Sequence, residues 1–361
     1  MSFTSKFSRN PIARMLGRHR RSSVLAIDLG VTAVKAIHVR QDGGSLVLDG
    51  FRVLRLQGNS GSRSIESACH EAMELRLADE PVAVSIASSG TAIRKVELPP
   101  MTFEELRQAL PWEARRQISG LAEDAMIDAQ VLSPGGDGAP MEILLVAVPR
   151  NEYARAEALW SELGIDPPFV DLRPLATMNS LRLRESFTPR APVAVLDLGS
   201  AAAFFAICSE SSVLLVRDLS PRVTQLNSLL VSHFSLDPEQ VEAVKLSGKL
   251  SDGTAPPPGA IQKALGDLIG ELNEDLRSGV VFLENHTGGS LDRVYLTGGN
   301  TSFLDRHGIL GTLSAQSGLT LERYNPFQTF RLGLIDEIGL KAATSELCAA
   351  AGVAARFFGG A

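Results

Sequence analysis

The sequence predicts an α/β protein of two similar domains that face each other across a cleft, with a smaller α/β unit inserted in the first domain. Two matched segments are the main observation. VLAIDLGVTAVKAIHV at 24–39 and VAVLDLGSAAAFFAIC at 193–208 each read as a strand, an Asp-Leu-Gly turn and a second strand. A third glycine turn, VYLTGGN, follows at 294–300, and 361 residues are enough for two or three domains.

The composition is that of a folded globular protein, with 44% hydrophobic and 21% charged residues. A net charge of −6 disfavours wholesale nucleic-acid binding. Cys69, Cys208 and Cys348 lie far apart and form no CxxC pair, which predicts neither a disulfide framework nor a zinc site. The thiols therefore fit a reducing cytoplasm, as small core residues.

Residues 1–22 form a distinct basic segment, in which Lys and Arg are interleaved with apolar residues and no acidic residue occurs. Two interpretations stay open: a segment lying on an anionic membrane surface, where each basic side chain contributes on the order of 1 kcal/mol, or a disordered basic tail. The segment lacks the apolar region of a secretory signal, and no stretch of the chain suits a membrane span. Membrane association is therefore expected to be peripheral.

The first domain is predicted at 23–190, with a subdomain inserted at about 91–170. Its strands are expected at 24–29, 33–40, 45–56 and 82–87, with a helix at 64–78. The insert should contain strands at 91–98, 126–132, 142–148 and 169–172, and helices at 102–118 and 150–163. Thr102 with the glutamate three residues later predicts a capping box, and Pro111 should kink the helix or divide it in two.

The second domain is predicted at 191–361 and repeats the opening pattern. Strands are expected at 193–197, 202–207 and 213–218, helices at 221–233, 237–247, 261–285 and 335–356, and a surface loop at 251–260. The strand before the third glycine turn lies between the last two helices. Two β-rich halves with appended helices predict a cleft between them.

The three glycine turns carry the predicted chemistry. Glycine lets backbone N–H groups approach phosphate oxygens, because no Cβ intervenes. Asp28 and Asp197 are the candidate catalytic residues and the candidate ligands of Mg²⁺ through its water shell. The other candidate cofactor-binding residues are Gly30, Val31, Thr32, Lys35, Gly199, Ser200, Glu242, Lys245, Gly298, Gly299 and Asn300.

Simpler structural interpretations stay open for the same positions. Both aspartates also suit turn residues that bond neighbouring amides. Lys35 suits either a phosphate contact or a solvated charge at a strand edge. Glu242 and Lys245 suit either an adenosine contact or a surface i,i+3 pair. Gly298 and Gly299 either admit the adenosine or end a strand.

Asp28-Leu-Gly30, Asp197-Leu-Gly199 and LTGGN at 296–300 resemble the two phosphate motifs and the adenosine motif of the actin, Hsp70 and sugar-kinase superfamily. This resemblance implies an actin-like (ribonuclease H-like) two-domain fold with an interdomain nucleotide cleft. The implied cofactors are ATP and Mg²⁺.

A narrower likeness spans about 24–361. DLGVTAVK, VELPPMTFEELRQALPWEARRQI, EILLVAVPRNEY, ERYNPF and ATSELCAAAGVAARFF resemble, in order, segments of the PilM family of type IV pilus assembly. The resemblance implies an ATP-binding protein at the cytoplasmic face of the bacterial inner membrane, related to the cell-division protein FtsA. It also implies a groove beside the insert for the short N-terminal cytoplasmic tail of a PilN-like membrane protein. No residue of this groove is assigned, and motor ATPase components are a further expected partner class.

Two turns depart from the family pattern. Val31 stands where relatives usually have Ser or Thr, and Ser200 is the one hydroxyl left in the second turn before Ala201–Ala203. Ser220-Pro221 stands where relatives tend to have two glycines. A lost hydrogen bond to a charged group is worth roughly 1.5–3 kcal/mol. Weakened nucleotide binding and at most a weak ATPase are therefore predicted.

The leading functional prediction is a binding protein: a scaffold that couples an inner-membrane pilus or type II secretion-like assembly to the cytoplasmic motor. A small-molecule kinase or ATPase is one alternative, because the same fold serves both. No acidic residue in a substrate-facing motif supports it. An FtsA-like filament-forming membrane adaptor is another, although such proteins commonly carry a membrane helix after a linker, and here ARFFGGA follows the last predicted helix directly.

Overall fold

The computed structural model describes residues 22–56, 63–87, 90–183, 192–200, 202–209, 213–250 and 252–359. The predicted basic segment therefore lies outside the described residues, apart from Ser22, and so does Ala201 of the alanine run.

A six-stranded sheet forms the centre of the first domain. Its members are β1 Ser23–Leu29, β2 Ala33–Asp42, β3 Ser45–Arg55, β4 Val82–Ile86, β8 Val170–Leu172 and β14 Arg331–Leu332, in the order β14-β3-β2-β1-β4-β8. Helix α1 is Ile65–Met73, shorter than predicted. β1, β2 and β3 pair antiparallel, whereas β4 and β8 continue parallel to β1. The carboxyl ends of β1, β4 and β8 therefore meet at one edge of the sheet.

The insert is a three-stranded antiparallel sheet covered by one helix. Its strands are β5 Ala92–Leu98, β6 Met126–Ser133 and β7 Met141–Val148, in the order β5-β7-β6, and its helix is α2, Phe103–Gln117. Thr102 and Glu105 form the predicted capping box. α2 runs through Pro111 as a single helix, so the chain does not divide there.

The last two elements predicted for the insert pack with the first domain. α3 is Arg150–Glu162, and its Tyr153 and Trp160 join the same apolar cluster as β1 and β4. β8 pairs with β4, and Val170 and Leu172 are buried. β8 therefore forms the edge of the first sheet, where its buried Asp171 pairs with Arg356 of the C-terminal segment at 3.2 Å. α4, Arg173–Leu181, was not predicted from the sequence and follows β8 directly.

The second sheet has five strands: β9 Val193–Leu198, β10 Ala203–Cys208, β11 Val213–Asp218, β12 Arg293–Thr297 and β13 Thr320–Arg323, in the order β11-β10-β9-β12-β13. The helices of this half are α5 Ser220–Phe234, α6 Pro238–Ser247, α7 Ala260–Ala264, α8 Gly266–Thr287, α9 Thr301–Arg306 and α10 Ile309–Ser317. The long helix predicted at 261–285 is thus two helices, α7 and α8, that meet at Leu265.

The C-terminal segment returns to the first sheet. It consists of β14, α11 Glu337–Ala343, a 3₁₀ turn Thr344–Glu346 and α12 Cys348–Phe357, where a single helix was predicted at 335–356. β14 pairs with β3, and α12 is buried against α4 and β1. The sequence-based division assigned this segment to the second domain. Its alanine-rich helix instead covers the face of the first sheet, because small side chains allow close approach.

One apolar cluster spans both halves of the molecule. It joins residues of β1 and β4 to Phe204 and Val216 of the second sheet, and to Val146 of the insert. The described residues contain no single helix long and apolar enough to cross a membrane. One pair, Glu337–Glu346 with Cys348–Phe357, passes by length and composition only when joined across an 88° bend.

Candidate functional site

The first glycine turn joins β1 to β2 and carries a buried ion pair. The antiparallel register places Asp28 opposite Lys35, with Lys35 Nζ 3.0 Å from Asp28 Oδ2. Gly30 closes the turn by donating its N–H to the carbonyl of Ala33 at 3.1 Å. A Cβ at Gly30 would lie 2.7 Å from the carbonyl oxygen of Ala33 and 2.5 Å from Lys35 Nζ, so the turn and the ion pair together leave room only for glycine.

Both oxygens of the Asp28 carboxylate are engaged. Ser85 Oγ donates to Oδ1 at 2.9 Å, and Arg173 Nη1 lies 3.8 Å from Oδ2, which also accepts from Lys35. Burial by itself would raise the pKa of Asp28, but the two cations and the hydrogen bonds outweigh it and hold the pKa below its ordinary value. Asp28 is therefore an anion under ordinary conditions.

The second turn places Asp197 within reach of the same arginine. Arg173 Nη2 lies 3.1 Å from Asp197 Oδ1, and Thr297 Oγ1 donates to Oδ2 at 2.8 Å. β12 pairs with β9 in the register that sets Thr297 opposite Asp197. Burial lowers the pKa of Arg173, yet Asp197 and Asp28 together raise it above the ordinary value. One guanidinium thus connects the aspartates of the two halves.

The third turn holds the second one in place. Gly298 has φ +93°, and a Cβ there would lie 2.4 Å from the carbonyl carbon of Leu198, so only glycine fits. The buried Asn300 donates its Nδ2 to the carbonyl of Gly199 at 2.8 Å and its backbone N–H to that of Leu198 at 2.9 Å. Asn300 therefore fixes the second turn from behind.

The turns enclose a cavity of about 10 Å³, roughly the size of one water molecule. Gly199, Ser200, Gly299, Val31 and Thr32 contribute to its wall. Its charged lining residues are Lys35, Arg55, Arg173 and Glu346. Arg55 binds Glu346 through two parallel contacts of 2.6 Å, which ties β3 to the C-terminal segment. The cleft is narrow, and three of its four charged lining residues are cations.

Six of the thirteen predicted site residues line the cavity: Val31, Thr32, Lys35, Gly199, Ser200 and Gly299. Asp28, Gly30, Asp197, Gly298 and Asn300 belong to the same three turns without lining it, and Glu242 and Lys245 belong to none of them. Lys35 is only 5% exposed and is not a solvated edge charge. Glu242 and Lys245 pair with each other on α6 and do not line the cavity. The buried Lys245 donates to Asn227 Oδ1 at 3.0 Å, and Asn227 Nδ2 donates to the carbonyl of Ser200. That pair therefore supports the second turn indirectly.

Sequence reasoning missed Arg173, Ser85, Arg55, Glu346 and Thr297. Arg173 directly follows a short apolar strand, and polar residues at the carboxyl ends of neighbouring parallel strands converge at one edge of a sheet. Reading 170–172 as a strand parallel to β4, and not as part of the insert, would have placed Arg173 beside Asp28. Thr297 stands in the third glycine turn, directly before Gly298, whereas Ser85, Arg55 and Glu346 carry no comparable local signal.

The residues fit a polyphosphate better than a divalent metal. Three cationic side chains and two glycine turns face the cavity, which suits phosphate oxygens. Asp28 and Asp197 lie behind those cations and do not line the cavity. In the described part of the chain, no group of three or more His, Cys, Asp or Glu side chains is placed to hold a metal ion.

Two sheets that each present an Asp-Leu-Gly turn to a shared cleft, with an insert in the first half, define an actin-like protein of the ribonuclease H-like class. A sequence-family model for the type IV pilus assembly protein PilM matches residues 26–358. The chain therefore belongs to the PilM family of type IV pilus assembly proteins. The family and the fold class predicted from the sequence are both confirmed.

The comparison with solved structures finds similar proteins. A PilM–PilN type IV pilus biogenesis complex is similar at a TM-score of 0.76 and 23% identity, covering 94% of this chain and 99% of that one. The ethanolamine utilization protein EutJ from Carboxydothermus hydrogenoformans matches at a TM-score of 0.49 and 12% identity, over 95% of this chain and 93% of that one. A Bacteroides thetaiotaomicron protein with an actin-like ATPase fold matches at a TM-score of 0.46 and 8% identity, over 92% of this chain and 96% of that one. Of these, the first supports the shared fold.

Proposed function

We propose that this chain is a cytoplasmic scaffold of a type IV pilus inner-membrane platform, and that it binds the N-terminal cytoplasmic tail of a PilN-like membrane protein. The observation that carries the proposal is the family match over 26–358, together with the likeness to a PilM that was solved with PilN. Location at the cytoplasmic face of the inner membrane follows from such a partner, and contact with motor ATPase components is part of the same proposal.

The insert supports a peptide-binding role. Leu106, Leu110 and Ala114 of α2 pack on the insert sheet, whereas Phe103 and Trp112 are 61% and 62% exposed. Large exposed aromatic side chains are typical anchors of protein interfaces. We therefore place the tail near α2, without assigning individual contacts.

The cleft supports nucleotide binding as the second part of the proposal. Lys35, Arg55 and Arg173 face the space where the phosphates of ATP would enter. We propose that hydrolysis is slow or absent, because cations neutralise both Asp28 and Asp197, and neither carboxylate lines the cavity where a water would be oriented. The one carboxylate that lines the cavity, Glu346, is paired with Arg55. This arrangement favours a scaffold over a kinase.

The first prediction tests tail binding. The purified full chain is titrated by calorimetry with a synthetic peptide of the N-terminal cytoplasmic tail of the single-span membrane protein encoded beside it, with and without ATP. We expect saturable one-to-one binding. A scrambled peptide of identical composition is the control, because it keeps the net charge of the tail and changes only the order of its residues. Equal heats for the two peptides, or no binding of any neighbouring tail, would contradict the scaffold.

Tryptophan fluorescence gives a second readout of the same titration. Trp112 is exposed on α2, whereas Trp160 is 3% exposed in the core. If the tail lies near α2, the emission change on binding should persist in Trp160→Phe and disappear in Trp112→Phe. The reverse result would place the tail elsewhere on the molecule.

A further inference from the structure

We propose that the Arg173 guanidinium takes the place of the divalent metal in this cleft, so that a nucleoside polyphosphate binds without Mg²⁺. The inference rests on the nucleotide binding proposed above and specifies its chemistry. The supporting observation is the arrangement of four charges: Arg173 and Lys35 line the cavity, and the two aspartates are buried next to them.

Three of the four carboxylate oxygens accept hydrogen bonds, and the fourth, Asp197 Oδ1, accepts none but lies 3.1 Å from Arg173 Nη2 as an ionic contact. Asp28 accepts from Ser85 and Lys35, and Asp197 is contacted by Thr297 and Arg173. A hydrated Mg²⁺ is held by carboxylates that can accept from its water shell. Here hydroxyl groups and fixed cations take up three of the four oxygens, and the guanidinium of Arg173 occupies the position beside the fourth.

The charged groups also lie in the opposite order to those of a metal site, where carboxylates would face the cavity. Lys35, Arg55 and Arg173 line the cavity, whereas Asp28 is fully buried and Asp197 is 1% exposed behind them. The carboxylate of Glu346 also lines the cavity but is paired with Arg55, so a divalent cation entering the cleft would meet a net positive charge. A phosphate entering the cleft would first meet guanidinium and ammonium donors, which match its oxygens.

The position of the Arg173 side chain is fixed by its surroundings. It begins α4 directly after β8, is 6% exposed, and its Nη2 would lie 3.3 Å from a Cβ placed on Gly199. An arginine side chain also stays protonated under all ordinary conditions, so it does not vacate the position by losing its proton. It can therefore supply, permanently, the positive charge between the two turns that a bound metal would otherwise supply.

The wild-type protein decides the question without any variant. ATP is titrated by calorimetry in buffer with EDTA and in buffer with excess MgCl₂. We expect the two dissociation constants to agree within about threefold, a difference of less than 1 kcal/mol. Binding that requires Mg²⁺ would overturn the metal-free site and leave nucleotide binding standing. Absence of binding in both buffers would instead overturn nucleotide binding itself.

Arg173→Met sharpens the test, because it uncovers the carboxylates while keeping a side chain of similar length. We expect ATP binding in EDTA to weaken by about tenfold or more, since charge-assisted contacts are lost, and Mg²⁺ to restore part of it. Mn²⁺ alone, followed by electron paramagnetic resonance, should bind the variant and not the wild type. Arg293→Met, at a half-exposed surface ion pair with Glu322, is the matched control and should behave as wild type.

If both Arg173→Met and the wild type bind ATP equally well with and without Mg²⁺, residues other than Arg173 supply the positive charge, and the role of Arg173 is overturned. If Arg173→Met does not fold, as judged by circular dichroism, Arg173→Lys replaces it beside the wild-type comparison. Arg173→Lys keeps the positive charge and should therefore keep ATP binding in EDTA.

Discussion

Arg173 lies between carboxylates that come from opposite halves of the chain, and its surroundings show how buried charges are tolerated here. Each aspartate has a cation and a hydroxyl as partners, and together the two aspartates, Lys35 and Arg173 sum to zero charge. Removing one partner from such a buried group typically costs about 3–5 kcal/mol, because an unpaired charge stays behind. Loss of any one of these partners should therefore destabilise the closed cleft, and two of them, Lys35 and Arg173, also line it.

Asp128 is a different buried carboxylate, on the face of the insert sheet opposite α2. Its neighbours Met126 and Leu132 contact the cluster that joins the insert to the first domain. Asp128 Oδ1 accepts the N–H of Ala129 at 2.8 Å, and the nearby Arg356 partly compensates its charge. Burial still raises the pKa of Asp128 to about 6.

The Asp128→Asn variant should be more stable than the wild type near neutral pH. The folded chain holds the Asp128 proton more tightly than the unfolded chain between the ordinary pKa of 3.8 and about 6, so the wild-type free energy of unfolding falls as the pH rises through this window. Asparagine keeps Oδ1 and removes the charge. We expect a gain of about 1–3 kcal/mol near pH 7 that vanishes below about pH 4. Urea unfolding across that range measures it.

The exposed Asp166 provides the control, because Asp166→Asn removes an equal charge at the surface. Its effect on the unfolding free energy should be small at every pH. An equal gain in both variants, or a gain for Asp128→Asn that does not depend on pH, would contradict the assigned pKa.

At the scale of elements, α12 and α4 pack closely against the first sheet. Gly352 of α12 faces α4, and a Cβ there would lie 1.6 Å from the carbonyl oxygen of Ala176 and 2.9 Å from the N–H nitrogen of Ser180. The neighbouring residues Ala349–Ala351 and Val353–Ala355 are buried. Because α4 begins with Arg173, this contact also positions the guanidinium in the cleft.

Gly352→Ala should destabilise the protein, although alanine favours helix. The added methyl group has no room, and overpacking a core typically costs about 1–3 kcal/mol. Gly270→Ala on α8 is the matched control: no atom lies within 4 Å of its added Cβ, so it should stabilise by about 0.4–1 kcal/mol. Thermal and urea unfolding measure both. Equal effects of the two variants would rule out close packing of α12 on α4.

At the scale of the whole molecule, the two halves are closed on each other. The shared apolar cluster, the Arg173 bridge and the contact from Arg94 of the insert to the carbonyl of Val216, 3.3 Å long, all join them. The cavity of about 10 Å³ is far below the roughly 300–1,000 Å³ of typical ligand pockets. The nucleotide binding proposed above would therefore require the halves to separate.

ATP should accordingly expand the molecule. Small-angle X-ray scattering of the full chain at saturating ATP is expected to give a larger radius of gyration than the protein alone, because the halves must move apart to admit the nucleotide. Measurement in EDTA avoids any effect of free metal. A smaller radius at saturating ATP would contradict the closed ligand-free cleft, and a protein alone with an open cleft would contradict it as well.

The sequence by itself determined the local features and the family. Paired Asp-Leu-Gly turns, the third glycine turn and the capping box at Thr102 are readable because each depends on residues a few positions apart. The order of segments across the chain identified the PilM family and the actin-like fold.

Only the tertiary structure decided which charged side chains meet between the turns. Residues 170–173 look locally like part of the insert, yet the strand pairs with β4 and carries Arg173 to a point between Asp28 and Asp197. Which charges meet in a cleft depends on strand order and helix packing between distant segments, and no local pattern encodes that. The same long-range packing brings α12 back to the first sheet. Both aspartates were predictable from the sequence, whereas the cation between them was not.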